Sequence, residues 1–224
     1  EHLGGGVYGV GADWADRPVN FVSWTDAARF CNWLTTGNTE TGVYNTTTWT
    51  ANRAYLNAQG LAYFLPTDNE WYKAAYYSGS GSTYYDYPMG SDALPSNALG
   101  SPDPGNNATF LVSPNYTIGA PYYRTEVGEH ENSESPYLTY DQGGNVFEWT
   151  ETNLGGGIRR VLGGGYLSGQ IALRADQVNQ GAQTSEFRDF GFRVASVWVP
   201  EPSAFGMLML GLGGLVARRR RRGC

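Results

Sequence analysis

Thiols and imidazoles are scarce in this chain: its 224 residues include two cysteines, Cys31 and Cys224, and two histidines, His2 and His130. No disulfide framework, C-x-x-C redox pair or cysteine-rich zinc site can be assembled from so few. Charge is also thin, at 16% Asp, Glu, Lys and Arg, and it is lopsided. Five of the fifteen basic residues form one run at 218–222, so residues 1–199 carry ten basic against twenty acidic side chains. A body that acidic repels phosphate backbones, which argues against nucleic acid as a partner and leaves metal cations as the better electrostatic match.

Glycine (31 residues) and aromatic side chains (14%) are abundant. The glycines follow no three-residue period, which excludes collagen, and the aromatics can bury enough surface to offset chain entropy, which excludes wholesale disorder. A length of 224 residues suits one domain with a small appendage. The chain opens at Glu1 with no initiator Met and no apolar signal segment, so the natural start is expected upstream.

The carboxyl end reads as a separate object. After Val199 come Pro200, Glu201 and Pro202, an apolar stretch over 203–217, then the five arginines. As a helix that stretch would span about 22 Å, short of a hydrocarbon core about 30 Å thick, so it makes a marginal permanent anchor. The arginines would hold the tail in the cytoplasm and leave the body across the membrane. The bland reading is a buried C-terminal helix, which would strand five arginines against a core. The tripeptide, apolar stretch and basic cluster together resemble a PEP-CTERM sorting signal. That resemblance implies an exosortase partner in the inner membrane of a Gram-negative bacterium, which removes the tail during export. Cys224 would leave with it. The expected division is therefore a domain over 1–198, incomplete at its amino end, and a sorting and anchor segment over 199–224.

In the body, Ser23-Trp24-Thr25-Asp26 reads as a capping box, and Trp24, Ala27, Ala28, Cys31 and Leu34 fall on one helical face. Cys31 on that stripe reads as a small core residue rather than a nucleophile, since no histidine lies near it in sequence. Thr67-Asp68-Asn69-Glu70 is a second capping box, followed by Trp71, Ala74 and Ala75 on one face. Helical periodicity ends near residue 80. Short β-prone stretches follow at 110–112, 160–162 and 192–199, and Gly, Asn, Ser, Pro and Tyr fill the loops. Early helices and short late strands predict an α+β fold.

Five segments stand in order: PVNFVSWTDAARFCNWL (18–34), LPTDNEWYKAAYY (65–77), YDQGGNVFEWTE (140–151), RVLGGGY (160–166) and GFRVAS (191–196). Together they resemble the formylglycine-generating enzyme, or sulfatase-modifying factor, family. The resemblance implies a C-type-lectin-like α+β fold with little regular secondary structure. It also implies a Ca²⁺ loop in which Asp141 and Glu148 ligate through side chains and Gly144 and Val146 through carbonyls, and hard oxygens on a curved glycine loop suit that ion. The alternative is a glycine turn leading into a buried strand, with Glu148 satisfied by hydrogen bonds. A second family calcium site would draw on Asn106 and Asn107, but its downstream acidic partner is replaced around Gly119.

Catalysis in that family uses copper held by two cysteines, one after the GG-S-Y/W motif and one five residues later. Here those positions are Ser168 and Leu173. A hydroxyl is a poor ligand for copper(I) and an isobutyl group is none, so neither copper nor aldehyde formation is expected. Two histidines cannot build the three-histidine iron site of the family's sulfoxide-forming branch, and no histidine is placed to make Ser168 a hydrolytic nucleophile. Arg193 is expected to pair with Glu70 or Glu148. Trp24, Trp33, Trp71 and Trp149 read as core. Tyr76, Tyr77, Tyr84, Tyr85, Tyr87, Tyr122 and Tyr123 read either as a ligand-stacking face or as loop packing. The resulting expectation is an exported cell-surface or matrix protein, catalytically degenerate, that binds extracellular polysaccharide or an envelope protein. An enzyme with an unrecognised site on the same scaffold is one alternative, and a diversified ligand-display protein is another.

Overall fold

A computed structural model describes residues 2–4, 7–58 and 61–198. The expected C-terminal hydrophobic helix and the sorting residues Pro200, Glu201 and Pro202 lie outside the described residues.

Both capping boxes form. Ser23 Oγ accepts from Asp26 N (3.2 Å) while Asp26 accepts from Ser23 N, opening helix α1, Trp24–Thr36. Gly37, at φ 77°, closes that helix in the left-handed conformation that a residue without Cβ adopts freely. Two short strands, β1 (His2–Gly4) and β2 (Val7–Tyr8), precede it. After it come β3 (Tyr44–Asn45), β4 (Thr50–Ala51), helix α2 (Arg53–Ala58) and β5 (Leu61–Phe64). Thr67 and Glu70 cap helix α3, Asp68–Tyr76, in the same reciprocal way.

Between residue 76 and the 140s the described chain holds only two two-residue strands, isolated bridges and turns. The later elements are β6 (Leu111–Val112), β7 (Asn115–Tyr116), β8 (Phe147–Gly155), β9 (Ile158–Leu162), β10 (Asn179–Ala182), β11 (Phe190–Phe192) and β12 (Ala195–Trp198). The main sheet runs β10-β9-β8-β11, antiparallel except for β11 beside β8, and β12 pairs antiparallel with β5. This is the expected α+β fold with little regular structure.

Helix α1 packs against β5 and the sheet, so its apolar stripe (Trp24, Ala27, Ala28 and Cys31) is buried with Tyr44, Phe64, Leu65, Trp149 and Val161. Large rings need their polar edges satisfied when buried. Trp24 Nε1 donates to Thr150 O (2.8 Å), Trp149 Nε1 to Val22 O (2.9 Å) and Trp71 Nε1 to Glu148 Oε2 (2.6 Å). Trp33 departs from the expectation: it is 50% exposed, because it lies on the helix face turned away from β5. The tyrosines divide as well. Tyr76 and Tyr87 are core residues, Tyr84 is exposed, and Tyr77 stacks on Tyr137 at 6.1 Å.

Candidate functional site

The 140–151 segment turns sharply before it becomes β8. Asp141 (φ 56°), Gly144 (φ 85°) and Asn145 (φ 61°) all adopt left-handed backbone. A side chain at 144 would bring Cβ to 2.3 Å from Thr109 O, so the glycine there is required both by conformation and by space. The turn is pinned from three sides: Gly144 N donates to Gly163 O (2.8 Å), Asn145 N to Thr109 O (2.7 Å), and Tyr166 N to Asn145 O (3.0 Å).

Asp141, Val146 and Glu148 border one cavity of about 180 Å³, together with Asn145 and Arg193. Gly144 does not line it; that residue is engaged with Thr109 instead. Asp141 Oδ2 accepts from Gly128 N (2.7 Å), and burial raises its carboxyl above the usual range. Asn145 Oδ1 is buried with no partner. Glu148 is fully engaged. Arg193 grips both of its oxygens, Nη2 to Oε1 at 2.6 Å and Nε to Oε2, and Trp71 donates to the second. Arg193 Nη2 also donates to Tyr140 O (3.0 Å), so this guanidinium ties β8 to the segment before β12. Of the two expected partners it takes Glu148, while Glu70 pairs with Arg53 (3.2 Å). Asp141 and Asn145 bring the oxygen donors that a hard cation takes, but among the described residues no group of three or more His, Cys, Asp or Glu side chains is placed to hold a metal ion. Glu148 fits one only by exchanging Arg193 for it.

A second polar cluster was not legible in the sequence. Asp103, 3% exposed, accepts from Ser133 Oγ (2.6 Å), Asn107 Nδ2 (2.5 Å), Gly105 N (3.1 Å) and Asn132 N (3.2 Å). Burial alone would raise this carboxyl, but those donors hold it below the ordinary value. Asn107 therefore serves Asp103. His130 is buried, its Nε2 lies 3.1 Å from Thr109 Oγ1, and burial lowers its pKa so that the neutral ring is favoured. Its side-chain partner lies 21 positions away at Thr109, which in turn bonds Thr125, and its loop has no periodicity, so no sequence signal marks it.

Ser168 and Leu173 face different surroundings. Ser168 Oγ accepts from Gly165 N (3.2 Å), its carbonyl accepts from Leu111 N (2.9 Å), and it lines an open groove of about 700 Å³. Leu111, Val112, Phe147 and Ile171 supply the groove's apolar surface; Ser113, Gln170, Gln177 and Asn179 supply hydroxyl and carboxamide groups. None of the side chains lining it is titratable. Leu173 points inward, fully buried with Tyr87, Ala108 and Phe110. A Cβ at Gly164 would come within 2.9 Å of its Cδ1, so that glycine makes room for the leucine. Beside the groove Tyr166 stacks on Tyr123 at 5.9 Å, and Tyr123 meets Tyr116 edge-on at 4.9 Å.

Residues 8–197 match the model of the sulfatase-modifying factor enzyme 1-like domain, and residues 199–222 match that of the PEP-CTERM protein-sorting motif. No curated protein matches the sequence at a significant level. Among solved structures the chain is similar to the crystal structure of CarF (22% identity, TM-score 0.59, 86% of this chain and 71% of that one). It is also similar to variable protein 1 of Treponema denticola (19%, 0.54, 88% and 77%) and to PvdO from Pseudomonas aeruginosa (18%, 0.54, 86% and 65%). At these identities the likeness concerns the fold.

Proposed function

From the premise that the chain belongs to the sulfatase-modifying factor family and carries a PEP-CTERM sorting motif, we propose that it is an exported binding protein whose groove at Ser168 holds a ligand without transforming it. The motif implies export and processing by an exosortase. The observation that carries the binding reading is the pair of positions 168 and 173. One is a serine on an open groove with no titratable side chain; the other is a leucine packed into the core. Thiolate chemistry needs sulfur at both places, and acid–base chemistry needs a proton carrier within reach.

The proposed ligand is an uncharged extracellular polysaccharide at the cell surface or in the matrix. An apolar surface rimmed by hydroxyl and carboxamide groups can cover a sugar face while exchanging hydrogen bonds with its hydroxyls. Calcium is proposed for the neighbouring turn, held by Asp141 and the Val146 carbonyl with Gly144 shaping the loop, and with Glu148 joining if Arg193 yields. There it would rigidify the turn that carries Asn145 to Tyr166 beside the groove.

The test is made on the purified full chain. Supplied with copper and a cysteine-containing sulfatase peptide, it forms no aldehyde; clear turnover would overturn the reading. In co-sedimentation with neutral surface polysaccharide the chain is retained, and Ile171→Asp, which puts a charge on the groove, lowers retention by about tenfold. Equal retention of the two proteins would remove the groove from the account, and capture of an envelope protein alone would replace the ligand class.

A further inference from the structure

Six apolar side chains stand open on one side of the domain. Val19, Phe21, Phe30, Trp33, Phe187 and Val194 are 51, 60, 41, 50, 46 and 38% exposed. They form one surface. Phe30 packs on Trp33 at 5.9 Å and on Phe192 at 5.5 Å, Phe21 N donates to Phe187 O (3.0 Å), and an apolar hollow of about 560 Å³ lies between Val19, Phe30 and Val194. Two charged residues border the hollow, and both are engaged: Asp26 caps α1 and Arg193 holds Glu148. Phe21 also has left-handed backbone (φ 52°), a conformation disfavoured for an aromatic residue, yet its ring is directed into solvent. Single exposed apolar residues are unremarkable, but a contiguous aromatic surface marks an interface.

The place where β12 ends bears on what covers this surface. Strand β12 ends at Trp198, paired with Leu61, which is itself 42% exposed. Tyr63, opposite Ser196 in the same ladder, donates its N–H to Thr35 Oγ1 in the last turn of α1 (3.0 Å), two residues beyond Trp33. The chain therefore leaves the fold one strand away from the last turn of α1, with β5 between the exit and that turn. Val194, on the surface itself, is four residues upstream of that exit, about 13 Å along an extended strand. Downstream, only Val199–Pro202 separate Trp198 from the apolar stretch at 203–217. Four residues reach about 14 Å at full extension. A domain on so short a tether, once the stretch is in lipid, must rest some face on the bilayer, and this is the apolar face beside the tether.

We propose that the surface formed by Phe21, Phe30, Trp33 and Val194 lies against the lipid headgroups of the outer face of the inner membrane while the tail is inserted, and leaves it when the tail is cut. Aromatic rings favour that interfacial region. The proposal rests on the reading that the tail enters the membrane before processing. Contact with the bilayer would hold the Pro200-Glu201-Pro202 tripeptide close to the membrane, where a membrane-embedded processing enzyme acts.

The test uses the full chain in a Cys224→Ser background, where the remaining Cys31 is buried and shielded from labelling. Single cysteines are placed by Phe21→Cys in the surface, Leu94→Cys elsewhere and Leu210→Cys in the apolar stretch. Each is labelled with an environment-sensitive fluorophore and reconstituted in phosphatidylethanolamine–phosphatidylglycerol vesicles containing a nitroxide lipid. The labels at 21 and 210 shift to the blue and are quenched by the nitroxide; the label at 94 keeps its aqueous emission. A quenched label at 210 with an aqueous label at 21 overturns the proposal alone. An aqueous label at 210 overturns it together with the insertion reading. A blue shift at 21 that grows with protein density and escapes the nitroxide assigns the surface to a second copy of the chain and also overturns it.

Discussion

A thiol inside an apolar core loses the hydration that its ionised form requires, and Cys31 carries that cost. Burial first, and the nearby Glu151 carboxylate second, push its pKa from 9.0 up to about 12. The sign of the linkage follows. Between those two values the unfolded chain releases the proton and the folded chain keeps it, so stability falls as pH rises. The slope from this residue approaches about 1.4 kcal/mol per pH unit well above pH 9 and amounts to about 1 kcal/mol between pH 9 and 10, where the unfolded thiol is partly ionised. Urea melts of wild type and Cys31→Ala between pH 9 and 10 check it: the variant starts less stable because of the cavity, and its stability declines less steeply. The same physics works in the opposite direction at Asp103, where four hydrogen-bond donors outweigh burial and favour the charged form.

At the scale of elements, regular structure is sparse, so single side chains act as clamps. Asn32, fully buried on α1, donates to Thr39 O (3.0 Å) and Tyr44 O (2.9 Å) and accepts from Tyr44 N (2.8 Å). It thereby satisfies the β3 backbone that α1 covers. Asn32→Ala would leave the two buried Tyr44 backbone groups unpaired and release the half-exposed Thr39 carbonyl, and is expected to cost about 2 kcal/mol or more, read as a lowered denaturant midpoint. Asn32→Asp keeps the acceptor and loses the donors, so it falls between. Arg193 is the counterpart at the main sheet, joining β8 to the approach of β12 through Glu148 and Tyr140.

For the whole molecule, one turn integrates the fold. Residues 141–148 touch Thr109, Gly163, Tyr166 and Gly128 through main-chain or carboxylate bonds, and they lead into the central strand. A cation bound there only in the folded state stabilises the entire domain by mass action, by about 2.7 kcal/mol at a hundredfold excess over Kd. Calcium is therefore expected to raise the melting temperature of the full chain and EDTA to reverse the rise, whereas Asp141→Asn should melt alike in both. Equal melting of the wild type with calcium and with EDTA would remove the ion from the turn.

Local signals in the sequence determined the two capped helices, the buried stripe Trp24-Ala27-Ala28-Cys31, the acidic body, the distinct tail and the missing thiols at 168 and 173. Each depends on residues a few positions apart, where spacing alone specifies geometry. Only the tertiary structure decided that Glu148 serves Arg193 and Trp71, that Asp103 and His130 are buried, that Trp33 is exposed, and that Ser168 and Leu173 face a groove and a core. The hydrogen bonds among them join partners 21 to 77 positions apart along the chain. Burial and pairing at that separation are set by how loops of irregular backbone close on one another, and no periodicity in the chain encodes it.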